Sequence, residues 1–319
     1  MSEPQREVTS VAPTSLKHLV GMRQIVEQVR VSIDASFADG AKFPHTLLVS
    51  EPGLGKSELC NVIKHEMCVE MHTVLGMSIN HISDLNSLLL GAKDKEIIYI
   101  NECDSLKSDF QVALYLALDQ GKIVLSGAKS GKSPQSLKIP DVTLLIDTNF
   151  EFSLLPALRD RMKQTLYLPW YDEADLAEIL RRRVRGVGWQ VQDEVLPLLA
   201  SLAKGTPRQA LRLLSASHRV SRSQDETTVT LAHAKRAVTL EGLDEMGLSA
   251  VEQAYLRVVA EGDSKLNVIS SRIGMPTRSV QTIIEPYLLR SGLIVKTDSR
   301  RQLTEKGREH LSESRADGA

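Results

Sequence analysis

The stretch Thr46-Leu-Leu-Val-Ser-Glu-Pro-Gly-Leu-Gly-Lys-Ser57 decides the fold of this chain. A short apolar run leads into a turn that contains Gly53 and Gly55, and Lys56 and Ser57 then open a segment with helical periodicity. This order is typical of a strand that passes the phosphates of a nucleotide to the N-terminus of a helix. The pattern predicts a P-loop in which Lys56 binds the β- and γ-phosphates and the Ser57 hydroxyl binds magnesium.

The predicted loop departs from the usual G-x-x-x-x-G-K-[ST] spacing. Ser50 stands where the first glycine is usual, and Glu51 brings a carboxylate close to the phosphates. An ordinary glycine-rich turn is the alternative interpretation of this stretch. Residues further along the chain favour the P-loop, and we assign nucleotide contact to the whole turn: Pro52, Gly53, Leu54, Gly55, Lys56, Ser57 and Glu58.

Composition limits the class of protein. The chain has 319 residues, enough for two or three domains, and its 42% hydrophobic and 25% charged residues are typical of a soluble globular protein. No stretch approaches the roughly 20 consecutive apolar residues that cross a membrane, and the N-terminal segment lacks an apolar signal core, so we expect a cytoplasmic protein without a membrane partner. The formal net charge of −1 means that any affinity for nucleic acid depends on local patches.

The order of predicted elements gives the fold class and the domains. Strand-like runs at 46–49, 97–100, 142–146 and 165–168 alternate with helical segments, which predicts an α/β domain with a mainly parallel sheet. A β-hairpin is predicted between 121 and 140. We expect a mobile tail over 1–15, a nucleotide-binding domain over 16–168, a small helical lid over 169–243, a winged-helix domain over 244–312 and a tail over 313–319.

Two predicted strands end in polar residues that suit phosphoryl transfer. The run 97–100 is followed by Asn101 and Glu102, and Glu102 can polarise the attacking water. Asn101 stands where such strands usually carry an aspartate near magnesium, and its amide oxygen has no charge. The strand over 142–146 leads to Thr148 and Asn149, and Asn149 is placed to contact the γ-phosphate and water.

Three arginines are candidates for the stabilisation of transition-state charge. Arg159 and Arg161 precede a predicted strand, where one of them could reach the phosphates of a neighbouring subunit, or both could be solvated arginines at a helix end. Arg208 follows Gly205-Thr-Pro207 at a predicted helix start and would point from the lid toward the nucleotide.

The motifs, in this order, resemble those of the AAA+ ATPases and, more narrowly, the RuvB-type family of bacterial Holliday-junction branch-migration ATPases. The resemblance runs from about Leu16 to Leu311. It depends on Pro52-Gly-Leu-Gly-Lys56, Leu158-Arg-Asp-Arg161, Lys204-Gly-Thr-Pro-Arg208, Gly242-Leu-Asp-Glu245, Glu285-Pro-Tyr-Leu-Leu289, Ser291-Gly-Leu293 and Thr304-Glu-Lys306.

This resemblance implies an assembly and a set of partners. A hexameric homo-oligomeric ring would encircle duplex DNA, hydrolyse ATP with Mg²⁺, and pull the DNA through a four-way junction while docked on a RuvA-like junction-binding protein. The hairpin over 121–140 would be the docking element, with Leu137 and Ile139 as its apolar contacts.

The resemblance also implies residue roles. Asn149 would be sensor 1, Arg161 rather than Arg159 the arginine finger, and Arg208 sensor 2. Val20 and Gly21 would lie along the adenine.

The C-terminal segment predicts a surface for DNA. A helix-turn-helix pattern over 268–289 places Arg278 on an outward face, and the wing contributes Lys296, Arg300 and Arg301. This local excess of cations suits phosphate contact without base reading. A solvated face used for protein contacts is the alternative.

Two functions remain open on the sequence alone. One is the ATP-driven motor of branch migration. The other is a related DNA-binding regulatory subunit with weak or no ATPase activity, which Ser50 and Asn101 favour.

Overall fold

The computed structural model describes residues 12–125, 135–262 and 265–316. These form two compact units. The first runs up to Ile179 and includes Thr206–Arg208, and the second comprises Leu180–Gly205 and the chain from Gln209 onward.

The first unit is built on a five-stranded parallel sheet, which confirms the expected α/β class. Its strand order is β2-β3-β6-β1-β7, and the strands are β1 (Thr46–Val49), β2 (Met71–Leu75), β3 (Ile97–Asn101), β6 (Thr143–Thr148) and β7 (Gln164–Tyr167). Strand β2 was not predicted from the sequence. It lies at the edge of the sheet and alternates half-buried with exposed residues, so it lacks the continuous apolar run that marks the inner strands.

Helices cover both faces of this sheet. They are α1 (Arg23–Ala38), α2 (Lys56–Met67), α3 (Ile82–Gly91), α4 (Ser108–Gln120) and α5 (Pro156–Arg159), and α6 (Glu173–Val187) crosses into the second unit. Because side chains alternate along a strand, Leu145 packs with α1 and α2, whereas Ile146 packs with α3 and α4. Tyr99 shares the α2 face with Leu145, and this face lies beneath the start of α2.

The predicted hairpin is present at its base. Strands β4 (Lys122–Leu125) and β5 (Gln135–Lys138) pair antiparallel, and its central part, residues 126–134, lies outside the described residues. Of the two predicted docking side chains, Leu137 is 40% exposed, whereas Ile139 is buried in the core against α4. The structure therefore leaves only Leu137 of this pair on the surface.

The second unit begins with helices, as predicted, but also contains a two-residue parallel pair, β8 (Gln190–Val191) with β9 (Thr228–Val229). The helices are α7 (Val195–Ser201), α8 (Pro207–Ser223), whose first two residues belong to the first unit, and α9 (Leu231–Leu240). The winged-helix part follows with α10 (Ala250–Ala260), α11 (Leu266–Ile273), α12 (Thr277–Ser279), α13 (Glu285–Arg290), β10 (Ile294–Thr297), β11 (Arg300–Leu303) and α14 (Glu305–Ala316).

One helix of the winged-helix part is interrupted. Between α12 and α13 the residues Val280–Ile284 form a π-helical turn, directly before Pro286. Proline has no N–H, and its ring clashes with the carbonyl four residues earlier, so the wider turn accommodates it within the helix. The helix-turn-helix pattern over 268–289 gave no sign of this interruption.

The described structure includes the inner part of each predicted tail, residues 12–15 and 313–316. Ser15 donates a hydrogen bond to Glu66 over 2.7 Å, and α14 continues to Ala316. Residues 1–11 and 317–319 lie outside the described residues. Within the described part of the chain, no helix combines the length and apolar character needed to cross a membrane.

Candidate nucleotide-binding site and DNA-contact surface

The turn between β1 and α2 has the backbone of a phosphate-binding loop. Gly53 and Gly55 adopt φ values of +88° and +97°, a region that side chains with a Cβ avoid. A Cβ on Gly53 would also lie 3.0 Å from the Cβ of Arg208. Ser50 does not have a positive φ, so its backbone conformation does not require glycine. Leu54 is buried in the core, and only its backbone faces the loop.

Lys56 is held at the mouth of this loop. Its Nζ donates to Asn149 Oδ1 over 2.6 Å, to the Ser50 carbonyl over 2.9 Å and to Ser50 Oγ over 3.2 Å. Burial lowers the pKa of Lys56, and the negative charge of Asp147 opposes that shift. The structure therefore brings together two predicted site residues, Lys56 at the start of α2 and Asn149 directly after β6.

The end of β3 brings Asn101 and Glu102 to the same edge. Strand β6 lies between β1 and β3, so the carboxyl ends of all three strands are adjacent. Glu102 adopts the left-handed region with φ of +54°, a conformation that costs about 1–3 kcal/mol for a residue other than glycine and is common at functional sites. Its backbone N–H donates to Asp147 Oδ1 over 2.7 Å.

Two residues of this edge were missed by the sequence analysis. Tyr99 and Asp147 lie directly beneath the first turn of α2, and Asp147 is only 1% exposed. Ser57 Oγ lies 3.1 Å from the Tyr99 hydroxyl, and that hydroxyl donates to Asp147 Oδ2. The signal was present in the sequence, because an acidic residue inside an otherwise apolar buried strand needs polar partners.

Arg208 reaches the P-loop within the first unit. Its backbone N–H lies 3.4 Å from the Gly53 carbonyl oxygen, and its charge contributes to the lowered pKa of Lys56. Gly21 has a φ of +66°, and a Cβ there would lie 3.1 Å from the ring of Tyr171. Tyr171 was not predicted as a site residue.

The remaining predicted nucleotide contacts differ in exposure. Val20 and Glu58 are half-buried, and Pro52 is exposed.

The two candidate finger arginines have different surroundings. Arg161 donates from Nη2 to Asp119 over 2.6 Å and from Nε over 3.0 Å, and its guanidinium lies 4.9 Å from the centre of the Tyr115 ring. Arg159 lies 3.6 Å from Glu151, and its Nε is buried without a hydrogen-bond partner. Arg161 therefore contacts α4 in this chain and not the P-loop residues.

The predicted DNA-contact residues of the winged-helix part differ in exposure. Arg278, Lys296 and Arg300 are exposed, and Lys296 Nζ also lies 2.6 Å from a carboxylate oxygen of Glu285. Arg301 is 6% exposed, and its Nε donates to the buried Glu285 over 2.7 Å. The expectation that Arg301 lies on the DNA-contact surface does not agree with this burial, because a guanidinium enclosed against a carboxylate cannot reach a phosphate without breaking that pair.

Metal binding at the P-loop edge would depend on the nucleotide. Among the described residues, no group of three or more His, Cys, Asp or Glu side chains is arranged to hold a metal ion. Ser57, Asn101 and Glu102 nevertheless offer oxygen atoms, the donors that Mg²⁺ prefers, and Mg²⁺ in nucleotide sites takes much of its coordination from phosphates and water. These residues fit a magnesium ion that arrives with a triphosphate.

Comparison with protein families finds two matches along the chain. Residues 11–168 match the model described as "Holliday junction DNA helicase RuvB P-loop domain", and residues 245–312 match the "RuvB C-terminal winged helix domain".

Individual proteins give the same result. The RuvB subunit of the Holliday junction branch migration complex from Staphylococcus haemolyticus is 32% identical over 308 residues, which is 95% of this chain and 93% of that protein. The corresponding subunit from Kosmotoga olearia is 29% identical over 97% of this chain and 92% of its own length. A solved variant of Thermotoga maritima RuvB has a similar fold, with a TM-score of 0.85 and 24% identity over 95% of this chain and 99% of that one.

Proposed function

This chain belongs to the RuvB family of Holliday junction branch-migration proteins, and from that premise we propose that it is an ATP-hydrolysing motor that drives branch migration in DNA recombination and repair. The observation that supports this most directly is the convergence of Lys56, Ser57, Glu102, Asn149 and Arg208 at one edge of the parallel sheet. The RuvB relatives are named for Holliday junction branch migration, and we extend the DNA substrate to this chain.

ATP would bind with its phosphates in the turn over Pro52–Ser57. Lys56 would exchange its contact with the Ser50 carbonyl for the β- and γ-phosphates, since a phosphate oxygen is a stronger acceptor than a neutral carbonyl. Asn149 already accepts from Lys56, so it would lie beside the γ-phosphate. Glu102 would orient and polarise the attacking water. Gly21 and Val20 would lie along the adenine.

Magnesium would be held by Ser57, with Asn101 as a neutral oxygen ligand in the surrounding shell. The ion would neutralise charge on the phosphates. Asn101 attracts the ion less strongly than the aspartate that is usual at this position would. We therefore expect position 101 to contribute less to magnesium affinity.

Arg161 would act on the nucleotide of a neighbouring subunit in a homo-oligomeric, hexameric ring. In the isolated chain it is paired with Asp119 on α4, which limits the number of conformations that its guanidinium samples. An arginine finger supplied in trans contributes about 10³–10⁵ in rate. This arrangement would make hydrolysis dependent on assembly.

Duplex and four-way junction DNA would contact the winged helix through Arg278, Lys296 and Arg300, which are exposed. A RuvA-like protein would dock on the hairpin through Leu137, whose apolar side chain is 40% exposed. Because the proposed substrate is DNA, we propose a cytoplasmic location. We propose that the helical lid covers residues 169–243 and that the winged-helix domain covers residues 244–312.

A second candidate is a regulatory subunit with weak or no ATPase activity. Asn101 favours it, since the site lacks the usual acid at the end of β3. The intact positions of Lys56, Glu102, Arg161 and Arg208 favour the motor.

ATP hydrolysis by the full chain, measured with and without four-way junction DNA, distinguishes the two. Lys56→Ala should abolish nucleotide binding and turnover, and Asn101→Asp should raise turnover. Lys64→Ala is the matched control, because this lysine lies on the same helix and pairs with Glu70. Wild-type turnover equal to that of Lys56→Ala would exclude the motor.

A further inference from the structure

Asp147 is a buried acid that the proposed mechanism does not use. It lies in β6 between the P-loop strand β1 and the strand β3, and 1% of its surface is exposed. In the pairing of β3 with β6, Ile100 lies beside Ile146. The next residues are Asn101, the last residue of β3, and Asp147, the next-to-last residue of β6. Strand β3 therefore ends in Asn101 where an aspartate is usual, but the neighbouring strand β6 carries a carboxylate, Asp147, close to the same position.

A chain of hydrogen bonds connects this carboxylate to the loop. Asp147 Oδ1 accepts from the Glu102 N–H over 2.7 Å, and Oδ2 accepts from the Tyr99 hydroxyl. The Tyr99 oxygen lies 3.1 Å from Ser57 Oγ. Both carboxylate oxygens act as acceptors, as in an ionised side chain.

The chemistry of these groups sets the direction of each hydrogen bond. An ionised carboxylate can only accept, so the single proton of Tyr99 is committed to Asp147. The Tyr99 oxygen is then an acceptor toward Ser57, and the Ser57 proton must point to it. The lone pairs of Ser57 Oγ are consequently directed away from Tyr99, free to bind a cation.

Burial shifts the pKa of both Tyr99 and Asp147. Burial raises the pKa of Tyr99 far above its usual value, so the phenol keeps its proton. Burial leaves the pKa of Asp147 above its usual value, and the hydrogen bonds from Tyr99 and from the Glu102 N–H and the charge of Lys56 reduce that rise.

We propose that Asp147, acting through Tyr99, is the positioning residue of this magnesium site: it orients the Ser57 hydroxyl so that its lone pairs face the metal, and it supplies the negative charge that Asn101 lacks. This inference rests on the proposed ATPase function. It assigns magnesium affinity to a carboxylate on β6 instead of one at the end of β3.

The test measures how much magnesium strengthens nucleotide binding. The affinity of the full chain for the non-hydrolysable analogue AMP-PNP is determined by calorimetry in Mg²⁺ and in EDTA. The readout is the dissociation constant in EDTA divided by the dissociation constant in Mg²⁺, a ratio that is large when magnesium strengthens binding. Tyr99→Phe keeps the buried ring and should lower this ratio about tenfold, with the EDTA affinity unchanged. Asp147→Asn should lower it by at least as much.

Rescue distinguishes a positioning role from a structural one. The double variant Asn101→Asp/Asp147→Asn moves the charge to β3 and should restore the ratio to within about threefold of wild type. Tyr167→Phe is the matched control, because Tyr167 lies on the sheet edge strand β7 and its hydroxyl also contacts a carboxylate, Glu151, at 3.0 Å. This control should leave the ratio unchanged.

Three outcomes separate the proposals. If magnesium does not strengthen AMP-PNP binding by wild type, both the ATPase function and this inference fail. If wild type shows the magnesium effect and Tyr99→Phe, folded by its thermal melting curve, retains the full ratio, only the role of Asp147 is overturned. If Tyr99→Phe weakens binding equally in Mg²⁺ and EDTA, the residue is structural and the inference is also overturned.

Discussion

Arg301 and Arg300 are adjacent in the wing, and we expect their replacement by alanine to have opposite consequences. Arg301 is buried and donates to Glu285 from Nε over 2.7 Å and from Nη2 over 3.3 Å. Glu285 is fully buried and also accepts from Tyr255 over 3.0 Å. Arg300 is exposed on the same strand.

The magnitude follows from what Arg301→Ala leaves behind. Removal of one partner of a buried ion pair typically costs about 3–5 kcal/mol, because the remaining charge is uncompensated. Lys296 still donates to Glu285 over 2.6 Å, although its side chain is 40% exposed and its contribution is reduced by solvent. We therefore expect the lower end, about 3 kcal/mol, for Arg301→Ala. Arg300→Ala should change stability by no more than about 0.5 kcal/mol.

Hydrogen exchange of the full chain, followed by mass spectrometry, measures this locally. Peptides that cover residues 285–303 should exchange about 100-fold faster in Arg301→Ala, which corresponds to 3 kcal/mol in the opening equilibrium. Arg300→Ala should leave exchange unchanged but reduce the salt dependence of DNA binding by about one unit of slope. Equal exchange in the two variants would refute the assignment of Arg301 to the interior.

Three further predictions concern other parts of the chain. Mixing Arg161→Ala with Lys56→Ala chains should restore ATP turnover that neither has alone, since an intact P-loop is then completed by an intact arginine from its neighbour; no recovery would argue against a finger in trans. Leu137→Ser should weaken binding of a RuvA-like protein without a change in melting temperature, whereas Ile139→Ser should lower that temperature, and the reverse pattern would contradict the assignment. Burial works to raise the pKa of Glu285, but its hydrogen bonds outweigh burial and leave the pKa below the usual glutamate value. The winged helix should therefore lose stability as the pH falls below about 4.3, seen as faster exchange after correction for intrinsic rates, and an unchanged opening equilibrium down to pH 3 would contradict this.

The sequence alone determined the class of fold and pointed to many residues of the candidate nucleotide site. The inner strands are continuous apolar runs, and Gly53, Gly55 and Lys56 form a local pattern whose meaning depends on neighbours in sequence. The edge strand β2 was missed because its half-exposed residues carry little periodic signal.

Only the tertiary structure decided which candidate side chains are exposed to a ligand and which buried residues contact them. Arg300 and Arg301 are equally basic in the sequence, and the buried Glu285 separates their roles. Asp147 and Ser57 are 90 positions apart, and the pairing of β6 with β1 and β3 brings them within reach of Tyr99. Local pattern reports the conformation of a segment, but burial and charge compensation depend on contacts between residues that are distant in sequence, and these exist only once the chain has folded.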